Sequence, residues 1–184
     1  ILYLENVCFT QGKFSLTANF SVSKGARVAI IGPSGEGKST LLLGISGFLQ
    51  PTAGEVLWDG KPMSHHPGQR PLSILFQEHN LFPHLSAADN VALGLNPSMR
   101  LSEEQILLVS KALDQVGLSE KAEAYPRDLS GGQRGRVALA RILLRRRPLI
   151  LLDEPFSALG PALKDEMLEV LDKILKLTGA TALM

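Results

Sequence analysis

Between Gly32 and Ser39 the chain reads GPSGEGKS, a set of residue types and spacings well suited to gripping a phosphate. Glycines placed this way let consecutive backbone N–H groups turn toward one anion, and a helix starting just after them adds partial positive charge. Lys38 can reach β- and γ-phosphates, and Ser39 carries a hydroxyl able to ligate Mg2+. The candidate contacts are Gly32, Pro33, Ser34, Gly35, Glu36, Gly37, Lys38, Ser39 and Thr40. An ordinary glycine turn capping a helix is the plainer alternative. The run RVAII before the glycines and KSTLLLGISGFL after them, however, supply the strand and helix that the phosphate-binding pattern requires. Glu36 fits poorly, since a carboxylate in an anion-binding loop is tolerable only where it points to solvent or meets a cation.

Farther along, PLILLDEP ends an apolar run on two carboxylates. A buried strand there delivers Asp153 to its carboxyl end, where open α/β sheets bind ligands. Asp153 is placed to hold a metal through its waters, leaving Glu154 to polarise an attacking water. Alone, the pair reads equally well as solvated carboxylates at a strand end. Beside a lysine-bearing glycine loop, the expected chemistry is nucleoside triphosphate hydrolysis.

A second phosphate-like segment, DLSGGQRGR, begins at Asp128. Ser130 and Gln133 have the S-x-x-Q spacing of a helix capping box. Gly131 and Gly132 then fall in the first turn, each costing up to about 1 kcal/mol of helix propensity unless something approaches the backbone closely. The helix is expected to run through VALARILLRRR and stop at Pro148. Arg145–Arg147 then complement its C-terminal dipole, a reading preferred over nucleic-acid binding.

The elements that must position these groups follow from periodicity. Residues 1 to about 30 read as strands and turns ending in the buried run RVAII, and TAGEVLWDG and SILFQ read as further strands. From about Glu78 to Arg147 the pattern is helical, with SEEQILLVSKALDQVGL starting on a serine cap followed by acidic residues. A last helix is expected from about Pro161 to Thr178. Strands apolar on both faces imply a parallel sheet covered by helices, so the expectation is an α/β fold with an inserted helical lobe. The division is 1–78 plus 148–184 for the nucleotide-binding core and 79–147 for the lobe. The chain opens at Ile1 already in strand-like alternation and ends on GATALM, where Gly179 reads as a helix C-cap before a new strand. A domain trimmed at both ends is expected.

With 184 residues and 45% apolar content the chain can bury a substantial core. Lysine plus arginine, 19, nearly balances aspartate plus glutamate, 18, so no broad basic field indicates nucleic acid as a partner. No apolar stretch approaches a membrane span. The one cysteine, Cys8, excludes an internal disulfide framework and is expected to be a small buried residue.

LSGGQ lying between the lysine glycine loop and ILLDEP resembles the motif set of the ATP-binding cassette (ABC) ATPases over essentially the whole chain. The resemblance implies a P-loop NTPase with a RecA-like parallel or mixed sheet core, an N-terminal antiparallel β portion and the inserted lobe, incomplete at the C-terminus. It implies a homodimer in which ATP, with Mg2+, is held by the glycine loop of one subunit and by Ser130, Gly131, Gly132 and Gln133 of the other. Two half-sites in one chain thus make two whole sites in a pair. It also implies Glu154, Gln77 and Lys38 as catalytic residues and Ser39, Gln77 and Asp153 around the metal. The segment HNLFPHL after Gln77 resembles the groove lining that receives a short helix of an integral membrane permease; Leu81 and Phe82 read equally as lobe core. The implied location is peripheral, on the cytoplasmic face of the bacterial inner membrane, with a substrate-binding protein as an indirect partner.

Departures from the family pattern are Gly160 where aspartate is usual after SAL, Gly135 after GGQR, and Gln11 where an aromatic stacks on adenine, Phe9 lying two residues earlier. The histidine that orients the γ-phosphate would lie past Met184. The wording of LFQEHNLFPHL, GLNP and DEPFSALGPAL is most similar to ATPase subunits of bacterial thiamine importers. Importers of iron or a polyamine, or a regulatory module without turnover, are the alternatives.

Overall fold

The computed structural model describes residues 1–76 and 81–184. Its contacts fall into two compact units. One comprises residues 1–74, 148–153 and 180–184, and the other residues 75–147 and 154–179.

In the first unit, β1 (Leu2–Gln11) pairs antiparallel with β2 (Phe14–Val22) on one side and later with β4 (Ala53–Trp58) on the other. Strand β3 (Arg27–Val28) leads toward the glycine loop and α1 (Lys38–Ser46), while β5 (Lys61–Pro62) closes a hairpin with β4. The alternation of β1 slips phase halfway. Leu2 and Leu4 face the core, and so do Val7 and Phe9, which strict alternation from Leu4 would turn outward. A bulge resolves the conflict: both pairings of β1 shift register here, and Asn6 takes a left-handed φ of 46°. The carbonyls of Glu5 and Asn6 press on Gly54 of β4, where an added Cβ would lie 2.3 Å from each oxygen.

Helix α1 is polar and partly exposed in its first turn, Lys38 to Thr40, and apolar in the turns that follow. Its Leu41, Leu42 and Ile45 join Leu2, Leu4, Val7 and Phe9 in one core. Gly44 lets the Phe9 ring approach so closely that a Cβ there would lie 2.3 Å from its Cζ. At the far end Arg70, only 2% exposed, donates to the carbonyls of Gly44 (3.0 Å), Ile45 (2.6 Å) and Ser64 (2.7 Å).

A second described sheet has β6 (Leu72–Leu75), β7 (Leu149–Leu152) and β8 (Thr181–Leu183) in the order β3-β8-β7-β6. The β3–β8 and β7–β8 pairings are parallel. All residues of β7 are buried, as its sequence requires. The run RVAII departs from expectation: the strand stops at Val28, and Ile31 is 92% exposed. Ile31 lies three residues beyond this two-residue strand, which among the described residues has a sheet neighbour only in β8.

The second unit holds α2 (Ala87–Ala92), α3 (Glu103–Gln115), α4 (Gly131–Arg145) and α5 (Pro161–Thr178). Ser86, Ser102 and Ser130 each head their helix with a complete capping box. Helix α4 buries Val137, Ala138, Leu139, Ala140 and Ile142, and α5 buries Met167, Leu171, Ile174 and Leu175. Gly179 caps α5 in the left-handed conformation. The arginine run is shorter as a helix end than its sequence suggests: Arg146 turns left-handed as the cap, so Arg145 alone lies in the last turn.

Candidate phosphate-binding and hydrolytic site

Gly35 and Gly37 both have positive φ, 85° and 94°, conformations that bend the loop and that L side chains rarely adopt. Gly37 stands at the N-cap of α1 and, having no side chain, caps none of the first-turn N–H groups of this helix. Those donors point to the loop with the helix dipole behind them, a ready anion site. Lys38 folds its ammonium into the loop, with Nζ donating to the carbonyls of Gly32 and Pro33, both at 2.9 Å. Glu36 is exposed, and its Oε2 lies 3.3 Å from where a Cβ on Gly32 would be, so its carboxylate folds back beside the loop's first glycine.

The hydroxyl of Ser39 donates to Asp153 Oδ1 at 2.9 Å. Residues from the loop and from the end of β7 are thereby joined, and a hydroxyl and a carboxylate side by side form a hard-oxygen pair of the kind Mg2+ prefers. Next in the chain, Glu154 is exposed and holds φ at 45°, a strained conformation for a residue with a Cβ. Its carbonyl accepts from Ser157 N (3.2 Å) and Ser157 Oγ (2.9 Å), bonds that hold the turn.

In the second unit, Ser130 Oγ accepts from Gln133 N at 3.2 Å, and Ser130 N donates to Gln133 Oε1 at 2.9 Å. Among the described residues the exposed Ser130 hydroxyl has no acceptor for its own hydrogen. The two glycines have different reasons. A Cβ on Gly132 would lie 2.8 Å from Leu163 Cδ2, so α5 itself makes the close approach there. On Gly131 the nearest atom, Leu159 Cδ2, would stand at an ordinary 3.5 Å, so space within the chain does not require that glycine.

The family described as ABC transporter matches residues 16–157. The thiamine import ATP-binding protein ThiQ of Cereibacter sphaeroides is 52% identical over 185 residues, covering 100% of this chain and 80% of that protein. ThiQ of Yersinia pseudotuberculosis is 49% identical over 175 residues, covering 95% and 74%. The chain belongs to the ABC transporter family. Among solved structures, CbiO1 of Clostridium perfringens, part of the ABC transporter complex CbiONQ, is similar at a TM-score of 0.84 and 30% identity, covering 100% of this chain and 76% of that one. A dimeric ATP-binding cassette in a post-hydrolysis state with ADP and Pi gives 0.82 and 32%, covering 100% and 86%. The α/β fold is therefore that of an ABC nucleotide-binding domain, and the activity class is ABC ATPase.

Gln77 and His79 lie outside the described residues. Several described residues stand elsewhere than their sequence suggests. Phe9 is fully buried against Gly44 and offers no face to a base. Phe14, which pairs in register with Gln11, is the aromatic beside the loop: 36% exposed, its Cζ is 2.6 Å from where a Cβ on Gly37 would be. Sequence inspection passed over Phe14 because strand alternation does not reveal a contact 23 residues along the chain. Phe82, 46% exposed, does not belong to the lobe core. Cys8 is half-buried rather than enclosed, because the bulge before Val7 turns it to the outer face of β1, where its Sγ lies 3.3 Å from Ser15 Oγ. That hydroxyl is the main cause holding the thiol pKa down at about 7.

Proposed function

We propose that this chain is the ATP-hydrolysing subunit of a bacterial thiamine importer. The Ser39–Asp153 bond carries the nucleotide part of the reading, because it unites the two ends of a triphosphate site in one geometry. The thiamine part rests on relatives about half identical whose names specify thiamine import. Lys38 and the backbone N–H groups of residues 32–40, Pro33 having none, take up the phosphates of ATP, and Ser39 and Asp153, with Gln77, would hold Mg2+. Bound there, the metal would supply charge neutralisation for the triphosphate. Phe14 offers its exposed face to the adenine. Glu154 accepts a proton from the attacking water as the water oxygen bonds to the γ-phosphorus and ADP leaves. Ser130, Gly131, Gly132 and Gln133 serve the nucleotide of a second copy, so the working unit is a homodimer. Phe82 and its neighbours dock a permease at the cytoplasmic face of the inner membrane, where the subunit sits peripherally; among the described residues no helix is long and apolar enough to cross a membrane.

The test is assembly of the full-length protein with its permease, followed by ATPase assay with thiamine-loaded and empty binding protein. Thiamine should stimulate turnover; stimulation by iron or a polyamine instead would overturn the solute assignment. Lys38→Ala should lose ATP binding, while Glu154→Gln should bind ATP, fail to split it and accumulate as a dimer. Normal phosphate release by Glu154→Gln would remove that carboxylate from its role.

A further inference from the structure

Asn90 is fully buried four residues after the Ser86 cap, and nothing in nucleotide chemistry uses it. Its side chain is committed to one short segment. Asn90 Oδ1 accepts from Phe82 N at 2.8 Å, while Nδ2 donates to the carbonyls of Phe82 (3.1 Å), Leu85 (3.1 Å) and Ser86 (3.0 Å). Two amide hydrogens serving three carbonyls means that one is shared. Both backbone polar groups of Phe82 are thus held by one amide, in the manner of a neighbouring strand. The segment closes on itself as well. Leu85 N donates to Phe82 O at 3.2 Å, with Pro83 at the turn position where a fixed φ of about −65° fits. The base is anchored by the Ser86–Asp89 capping box and by Ala87 N and Ala88 N, which donate to the carbonyls of Ala124 and Ala122, each at 2.8 Å.

With its backbone pinned inward, Phe82 can only project outward. The residue is 46% exposed, and its ring stands edge-on to His84, the centroids 6.0 Å apart. A half-exposed phenylalanine on a backbone this tightly held is a preorganised anchor of the kind that dominates interfaces.

We infer that Asn90 is the positioning residue for permease docking: its side-chain amide holds Phe82 in the outward pose that the permease helix engages. This rests on the docking reading above and adds to it the residue responsible for the pose. Without the amide, the turn loses four bonds in a buried place, and Phe82 loses its fixed direction.

The experiment is a double-mutant cycle on the full-length protein, with affinity for the detergent-solubilised permease as readout. Phe82→Ala should weaken binding at least tenfold, and Asn90→Ala by a similar factor. If Asn90 acts through Phe82, the double variant should be no weaker than Phe82→Ala alone. Asn90→Asp, which keeps the acceptor for Phe82 N–H and loses the donors, should fall between wild type and Asn90→Ala, and it takes the place of Asn90→Ala in the cycle if that variant does not fold. Unchanged binding by Phe82→Ala would overturn the docking reading itself. A damaging Phe82→Ala beside a wild-type-like Asn90 variant, or fully multiplying effects in the double variant, would overturn only the role given to Asn90.

Discussion

Replacing Arg70 by methionine tests how helix α1 is held from behind. The guanidinium is buried, with no carboxylate partner among the described residues, and the burial itself pushes its pKa down. Its three bonds go to carbonyls, two of them at the C-terminal end of α1, where a cation also meets the negative pole of the helix. Methionine keeps much of the apolar stem and removes every donor. Gly44 O retains a partner in Gly47 N at 3.1 Å, Ser64 is only half-buried, and the carbonyl of the fully buried Ile45 loses the guanidinium. An orphaned buried acceptor costs about 1–3 kcal/mol, and loss of the cation at the helix end adds up to about 2 kcal/mol. Release of the guanidinium from its buried site offsets part of that sum. The expected loss is about 3 kcal/mol. The single tryptophan, Trp58, packs on the same core, so its fluorescence during urea unfolding reports on this unit. With a slope of about 2 kcal/mol per molar, the midpoint should fall by about 1.5 M. Arg70→Lys, which keeps the charge but not the fork, should lie between the two. A methionine variant unfolding at the wild-type midpoint would show that desolvation cancels the bonds, and the role assigned to Arg70 would be wrong.

Other perturbations follow from single sites. Gly54→Ala places a Cβ against two backbone oxygens at 2.3 Å and strains a φ of 69°, so it should cost about 3 kcal/mol in urea unfolding; a neutral result would mean the β1 bulge is not as described. Gly160 caps α5 with no side-chain bond and open space around its Cβ position, so Gly160→Asp should add about 0.5–1 kcal/mol and raise Tm by about 2 °C. If Gly160→Ala gains as much, the carboxylate is not capping. The thiol of Cys8 should titrate near pH 7, below the usual thiol range, so iodoacetamide labelling should reach half its limiting rate there and decline as pH falls. Ser15→Ala should move that midpoint upward, and an unshifted midpoint would contradict the Ser15 hydroxyl as the main cause.

The parts legible from sequence were those whose physics is local. The glycine loop, the serine cap at Ser102, the capping box at Ser130, the apolar β7 run and the Gly179 cap each depend on a few neighbouring residues, and each stands where its spacing put it. Tertiary structure decided whatever depends on which distant residue arrives alongside. Periodicity predicts that β1 alternates, but only pairing with both β2 and β4 shows the bulge that turns Phe9 inward and Cys8 outward. The apolar run RVAII marks Ile31 as core, yet the strand ends at Val28 and Ile31 lies beyond it in water. Two adjacent glycines look alike in sequence, whereas Leu163 explains one and leaves the other open. The site itself shows the same division. Ser39 and Asp153 are readable separately as oxygen ligands, but the 2.9 Å bond between them spans 114 positions, a separation across which sequence spacing carries no distance information.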